Sequence, residues 1–221
     1  MRYYPIFLRV AGRSCLVIGG GRVAEQKVQA LLRADARVTV VSPDITPKLA
    51  ELAAAGAVAY HQRRYDGDDL RGVVLAYAAT NDQALHAQIA RDADAMNVLL
   101  NVVDRPPLCD FIAPAVMARG DLIIAASTGG ASPAMAKRIR RDLEDTFGPE
   151  YDVALQLLRR IRERLAARAL TSAERQRVFT TLVESPLLDY LRERQVEAID
   201  RLLAATVGDD VSLASLGVEL A

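Results

Sequence analysis

"CLVIGGGRVAEQKVQALL", Cys15 to Leu32, decides the fold of this chain. Branched and apolar residues lead into three glycines, as a buried strand ending in a turn requires. Beyond the glycines, Val23, Lys27, Val28, Leu31 and Leu32 recur at helical spacing. The stretch is a strand, a glycine turn and a helix.

Further apolar, strand-like runs follow at Arg37 to Val41, Val58 to Gln62, Val73 to Thr80, Val98 to Val103 and Leu122 to Ala126. Helical periodicity separates several of them, at Pro47 to Ala55 and Gln83 to Ala95. Strands alternating with helices predict βαβ units and an α/β, mostly parallel sheet. From about Ala131 the strand signal stops. Ser132 with Pro133, Thr171 with Glu174, and Ser185 with Pro186 each mark a helix start, so a C-terminal helical appendage is expected. The polar tail after Gly208 is expected to fray.

Composition narrows the partners. Lys plus Arg equals Asp plus Glu at 28 each over 221 residues, which offers no electrostatic pull toward nucleic acid or an anionic membrane. Apolar runs such as Val73 to Thr80 are far shorter than the roughly 18 residues that span a bilayer. The opening "MRYYPIFLRV" lacks the core and cleavage site of a secretory signal. Two cysteines, Cys15 and Cys109, fit neither a disulfide framework nor a zinc site. A reduced, cytoplasmic, soluble protein with no metal site is expected.

Gly19, Gly21 and Ala24 fit G-x-G-x-x-A. The first glycine permits the tight turn, the second lets backbone N–H groups approach a pyrophosphate, and the small third residue lets helix and strand pack closely. With strand and helix both present at the head of a βαβ series, the turn predicts a Rossmann-like, dinucleotide-binding unit. The acidic residue expected at the end of the second strand is replaced by Val41, Ser42 and Pro43, with Asp44 just beyond. Ser42 and backbone groups can take the ribose contact, and NAD is the expected cofactor. Arg22 is either a phosphate contact or an exposed first-turn residue. Val23, Pro43, Asp44 and Thr80 complete the expected cofactor contacts.

"NVLLNVVDRPPLCDF" ends a buried strand with Asn101 and Asp104 before two prolines. Ligands of open parallel sheets lie outside the carboxyl ends of the strands, so a carboxylate here faces the nicotinamide crevice. The alternative is an Asp that merely caps the turn. "ASTGGASP", Ala126 to Pro133, brings hydroxyls and a glycine turn to a helix N-terminus, which favours an anion. Its alternative is an ordinary strand-to-helix connection.

"YPIFLRVAGRSCLVIGGGRVAEQKV", "VVSP", "AATND", "NVVDRPPLCDFIAPA" and "ASTGGASPAMAKRIRRDLE", in this order and spacing, resemble precorrin-2 dehydrogenase, the NAD-dependent dehydrogenase that also forms the N-terminal part of siroheme synthase. The resemblance is strong over Tyr4 to Leu143 and loose over the helical tail. It implies oxidation of precorrin-2, a tetrapyrrole, to sirohydrochlorin with reduction of NAD+, followed in some members by insertion of Fe2+ or Co2+. It also implies a homodimer built through about Pro114 to Glu144. The organisation expected is a Rossmann domain at 1–113, a dimerisation and substrate-binding segment at 114–149 and a helical domain at 150–221. With no methyltransferase domain following, methylation is expected of another protein.

Asp104 matches the family's catalytic aspartate, although Arg105 stands where many relatives carry a second acid. Oxidising the macrocycle removes a hydride and a proton, and an ionised carboxylate can take the proton. Partial burial of such a carboxylate would raise its basicity. The two histidines, His61 and His86, are read as surface or packing residues away from the crevice. The substrate's carboxylates are expected to meet Asn101, Ser127, Thr128, Gly129, Gly130, Ser132, Lys137 and Arg138, while Arg140, Arg141 and later arginines form a solvated face. Two other readings stand beside the dehydrogenase: a bifunctional dehydrogenase and ferrochelatase, and a non-catalytic NAD(H)-sensing module.

Overall fold

The computed structural model describes residues 3–220, which divide between Ala113 and Pro114 into two compact units. The first unit contains β1 (Ser14–Ile18), α1 (Arg22–Arg33), β2 (Arg37–Val41), α2 (Pro47–Ala54), β3 (Ala59–His61), β4 (Leu75–Ala78), α3 (Gln83–Met96) and β5 (Leu99–Val102). Its strands are all parallel, in the order β3-β2-β1-β4-β5. The strand order reverses between β1 and β4, and that reversal opens a crevice at their carboxyl ends.

The centre of this sheet is dry. Cys15 to Ile18 of β1 are at most 2% exposed, which explains why the strand is a continuous apolar run rather than an alternation. One face, with Cys15, Val17, Val38 and Val40, packs on Ala24, Val28 and Leu31 of α1. The other, with Leu16, Ile18, Ala76 and Leu100, packs on Ile89 and Ala93 of α3. Asp82 caps α3 through Ala84 and Leu85 N–H, and Thr46 caps α2 with Pro47 following.

The second unit begins with an antiparallel hairpin of β6 (Ala115–Arg119) and β7 (Leu122–Ala126). The run at Leu122 to Ala126 therefore pairs outside the parallel sheet, with a strand that the sequence reading did not anticipate. Six helices follow among the described residues: α4 (Pro133–Thr146), α5 (Glu150–Ala166), α6 (Ser172–Glu184), α7 (Leu187–Arg192), α8 (Val196–Thr206) and α9 (Leu213–Leu216). Thr171 and Glu174 form the expected capping box. Ala154, Leu157, Ile161 and Leu165 of α5 centre a core shared with Leu182, Ile199 and Leu203. Contrary to the expected fraying, the tail after Gly208 belongs to that core: Val211, Leu213, Leu216 and Val218 are buried, and Leu213 N–H donates to Asp200 at 2.8 Å. No helix among the described residues is long and apolar enough to cross a membrane.

Candidate functional site

Each glycine of the turn has a separate steric task. Gly19 lies at φ +117°, and a Cβ there would stand 2.3 Å from the Ala79 carbonyl oxygen of the neighbouring β4 connection. Gly20, outside the expected motif, has the tightest approach: a Cβ would lie 1.9 Å from the Asp44 carbonyl oxygen. Gly21 has nothing within 4 Å of that position, and it starts α1 without any side-chain cap bond. The first amide groups of α1 thus face open space, which suits a diphosphate. A dinucleotide fits this cradle.

The turn is stitched to the β2–α2 loop. Thr46 N–H donates to Gly20 O at 2.9 Å, and the Ser42 hydroxyl donates to Asp44 O at 2.7 Å. The Tyr60 hydroxyl donates to the carbonyls of Ser42 at 3.0 Å and Pro43 at 3.3 Å. Ser42 and Asp44 line a cleft with Gly19 to Gly21, Arg22, Val23 and Thr80; Pro43 does not line it. Asp44 is exposed on that cleft, so an acidic group does stand beside the glycine turn, shifted past the end of the strand.

Val23, Thr80 and Asn81 also line an adjoining crevice with His86, Asp104 and Arg105. Asp104 takes a left-handed φ of +58° just beyond β5. Its carboxylate accepts no hydrogen bond among the described residues, so it does not serve to cap the turn. Asp104 is exposed.

What holds the turn is the segment after it. The Cys109 thiol accepts from Val102 N–H at 3.2 Å and faces two acceptors, Val102 O at 3.1 Å and Arg105 O at 3.3 Å. Burial pushes this thiol's pKa up. Asp110 accepts from Leu100 N–H at 2.8 Å, and the Asn101 amide donates to Phe111 O at 2.8 Å. Asn101, expected to face substrate, is instead 9% exposed with its amide committed inside.

His86 and Asn81 enter the site although the sequence reading left them out. His86, expected to lie away from the crevice, is 5% exposed and lines it; its Nε2 lies 2.9 Å from Thr80 O, and its Nδ1 has no hydrogen-bond partner. Nε2 is then the donor, which fixes the carbonyl where the two clefts join. Lys27 places its Nζ 5.2 Å from the centroid of the Tyr77 ring, within the electrostatic reach of Asp104. Both lie on helix stripes that the sequence displays, His86 with Ile89 and Ala93, Lys27 beside Ala24 and Val28.

The remaining predicted residues belong to the second unit. There Thr128 Oγ1 accepts from Ser132 N–H at 3.1 Å, Ser127 Oγ accepts from Gly129 N–H at 3.1 Å, and Ser132 Oγ accepts from Met135 N–H at 3.2 Å. These oxygens therefore brace their own loop, which bends through Gly129 and Gly130 at positive φ. Lys137 and Arg138 are exposed on α4, Arg138 3.8 Å from Asp142. Among the described residues no group of three His, Cys, Asp or Glu could hold a metal ion.

Residues 6–115 match the family model described as "Putative NAD(P)-binding", and residues 119–146 match "Sirohaem biosynthesis protein central". The siroheme synthase of Stutzerimonas stutzeri (strain A1501) is 37% identical over 204 residues, 92% of this chain and 44% of that protein. That of Thioalkalivibrio sulfidiphilus (strain HL-EbGR7) is 34% identical over 220 residues, 100% of this chain and 45% of that protein. The chain spans less than half the length of these relatives. Among solved structures, SirC, a precorrin-2 dehydrogenase, has a TM-score of 0.76 and 28% identity, covering 90% of this chain and 98% of that one.

Proposed function

The chain belongs to the family of siroheme synthase and precorrin-2 dehydrogenase, and on that premise we propose that it oxidises precorrin-2 to sirohydrochlorin with NAD+. The observation that carries the reading is the shared lining of the two clefts. Val23, Thr80 and Asn81 bound both the cradle of the glycine turn and the crevice that holds Asp104.

Gly19 to Gly21 and the start of α1 hold the diphosphate, Asp44 and Ser42 face the ribose, and Arg22 flanks the phosphates. NAD+, when bound, supplies the hydride acceptor. Asp104, whose carboxylate accepts no hydrogen bond among the described residues, accepts the proton that leaves the macrocycle. Its backbone is held by Cys109 and Asp110, so the carboxylate moves only about its own side-chain bonds. The donors on the Ser127 to Arg138 segment are proposed for the substrate's carboxylates.

A homodimer is proposed through residues of the 114–149 segment. Val116 and Ile123 are 46% and 48% exposed on one face of the hairpin, with Met135 51% exposed on α4. An unpartnered apolar face of this kind marks an association surface. Ile123→Glu is expected to yield monomers in sedimentation equilibrium, and an unchanged dimer would place the interface elsewhere. Two free cysteines, Cys15 buried and Cys109 half-buried, support a reduced, cytoplasmic setting. Asp104 would also take ring-nitrogen protons during insertion of Fe2+ or Co2+. The rate with sirohydrochlorin against a protein-free control measures that second reaction.

The deciding experiment incubates the chain with NAD+ and enzymatically generated precorrin-2 and follows the macrocycle's absorbance. Asp104→Ala is expected to lose at least a hundredfold in kcat, the usual scale of a lost general base, while NAD+ binding is retained. Unaffected turnover removes Asp104 from the mechanism, and no turnover by the wild type with NAD+ bound favours the NAD(H)-sensing module.

A further inference from the structure

We propose that His86 is a positioning residue for the cofactor: by holding the Thr80 carbonyl, it turns the Thr80–Asn81 peptide so that the Asn81 N–H donates to the nicotinamide riboside half of NAD+. The inference deepens the reading of an NAD+-dependent oxidation and rests on it only as far as NAD+ binding.

The peptide stands between the diphosphate cradle and Asp104. Thr80 and Asn81 line both the cleft of the glycine turn and the crevice that holds Asp104. The segment abuts the turn itself, since a Cβ on Gly19 would stand 2.3 Å from Ala79 O and 3.3 Å from Thr80 N. In a planar trans peptide the carbonyl and the following N–H point in opposite directions, and no peptide bond among the described residues is cis. Whatever takes the Thr80 carbonyl therefore also aims the Asn81 N–H. That N–H makes no hydrogen bond among the described residues.

His86 takes the carbonyl. Its Nε2 lies 2.9 Å from Thr80 O, and because a carbonyl oxygen only accepts, Nε2 carries a proton. His86 is 5% exposed, and its Nδ1 is buried with no hydrogen-bond partner. Buried polar groups are as a rule hydrogen-bonded, yet the one bond this ring makes goes to the rim of the site. Its reach is fixed from the backbone side. His86 N–H donates to Asp82 O at 3.1 Å, the Asp82 carboxylate accepts from Ala84 and Leu85 N–H, and Asp82 N–H donates to Thr80 Oγ1 at 3.2 Å. The loop from Thr80 to His86 is thus tied at both ends, and the Asn81 N–H is left as a donor for a ligand.

The test separates the two halves of the cofactor. His86→Phe keeps an aromatic ring and removes the donor, whereas His86→Gln returns an N–H near the position of Nε2. Isothermal titration compares NAD+ with ADP, which fills the cradle but lacks the nicotinamide riboside half. In His86→Phe the affinity for NAD+ is expected to fall about tenfold, the scale of one hydrogen bond to a ligand. The affinity for ADP stays unchanged, and His86→Gln recovers most of the loss. A merely structural role moves both nucleotides alike, so an equal fall for the two, or an unchanged NAD+ affinity, overturns the proposal. The wild-type protein gives a second measurement that needs no variant to fold. In NMR of the full chain labelled with nitrogen-15, Nε2 of His86 is expected to carry a bonded proton, and the Asn81 amide signal to shift with NAD+ but not with ADP. A bare Nε2, or an Asn81 amide that ignores NAD+ or answers equally to ADP, also overturns it. If precorrin-2 is not oxidised while NAD+ and ADP separate as expected, the substrate reading fails and the present inference stands.

Discussion

Alanine at Gly20 and at Gly21 is expected to damage the protein in opposite ways, although the two glycines are neighbours. At Gly20 the new Cβ would lie 1.9 Å from Asp44 O and 2.9 Å from Ile45 Cα, both backbone atoms that no rotamer change can move aside. To reach ordinary contact the β2–α2 loop must retreat by roughly 1.5 Å. That retreat loosens the bonds from Thr46 N–H to Gly20 O and from the Ser42 hydroxyl to Asp44 O, about 1 kcal/mol each. With about 1–3 kcal/mol of overpacking, the loss is roughly 3–5 kcal/mol, or a fall in Tm on the order of 10 °C. At Gly21 nothing lies within 4 Å, and its φ of −81° and ψ of −176° suit any residue. Stability should change by less than about 1 kcal/mol. The methyl group, however, stands in the space left for the diphosphate, so NAD+ affinity should fall at least about tenfold, some 1.4 kcal/mol. Calorimetric unfolding and isothermal titration with NAD+ read the two effects separately. Wild-type NAD+ affinity in Gly21→Ala, or a wild-type Tm in Gly20→Ala, refutes the steric reasoning.

Cys109→Ala leaves Val102 N–H without its partner, at a cost of about 1–2 kcal/mol. It is expected to slow oxidation about tenfold, the effect of a reacting group displaced from its geometry, with NAD+ affinity kept and Cys109→Ser recovering most of the rate; full kcat in the alanine variant would show that the clamp is dispensable. In the second unit, burial pushes the Glu150 carboxyl up, but backbone N–H groups and Arg192, 2.9 Å away, outweigh it and leave the acid below the usual carboxylate range. Its stabilisation is therefore present above about pH 4.3 and lost as pH falls through the lower folded value. Glu150→Gln should cost about 1–2 kcal/mol near neutrality, since the half-exposed Arg192 keeps its hydration. Urea midpoints should converge with the wild type as the pH falls through the lowered folded value, and a gap independent of pH contradicts the assignment.

The parallel sheet was legible because each of its strands carries its own signature. Cys15 to Ile18 are apolar at every position, as a strand buried on both faces favours. The hairpin was harder. Ala115 to Arg119 alternates between buried and exposed, but its exposed members, Val116 and Ala118, are also apolar, so no polar beat marks a strand. Gly120 and Asp121 were the available signal, a two-residue Gly-Asp turn with Gly120 at φ +54° between two β-prone runs. The tail escaped for a different reason. Val211, Leu213, Leu216 and Val218 follow neither period, because a capped single turn of helix interrupts an extended segment. Their burial is set by α5 and α8, which no local pattern displays.

The candidate site divides along the same line. The glycine turn is contiguous and its chemistry is written in three adjacent residues. The crevice is assembled from Val23 on α1, Thr80 after β4, His86 on α3 and Asp104 after β5, and only the strand order brings those ends together. Sequence patterning placed His86 and Lys27 on helices without showing what their helices face. The sheet supplies the missing fact: β4 lies between β1 and β5, so the connection after β4 borders both the glycine turn after β1 and the end of β5. A residue there needs no hydrogen bond of its own to be held, since Cys109 and Asp110 fix the backbone on either side. Such an arrangement leaves Asp104 in an uncommon left-handed conformation with all of its acceptor capacity unspent, which serves a proton acceptor better than a turn cap.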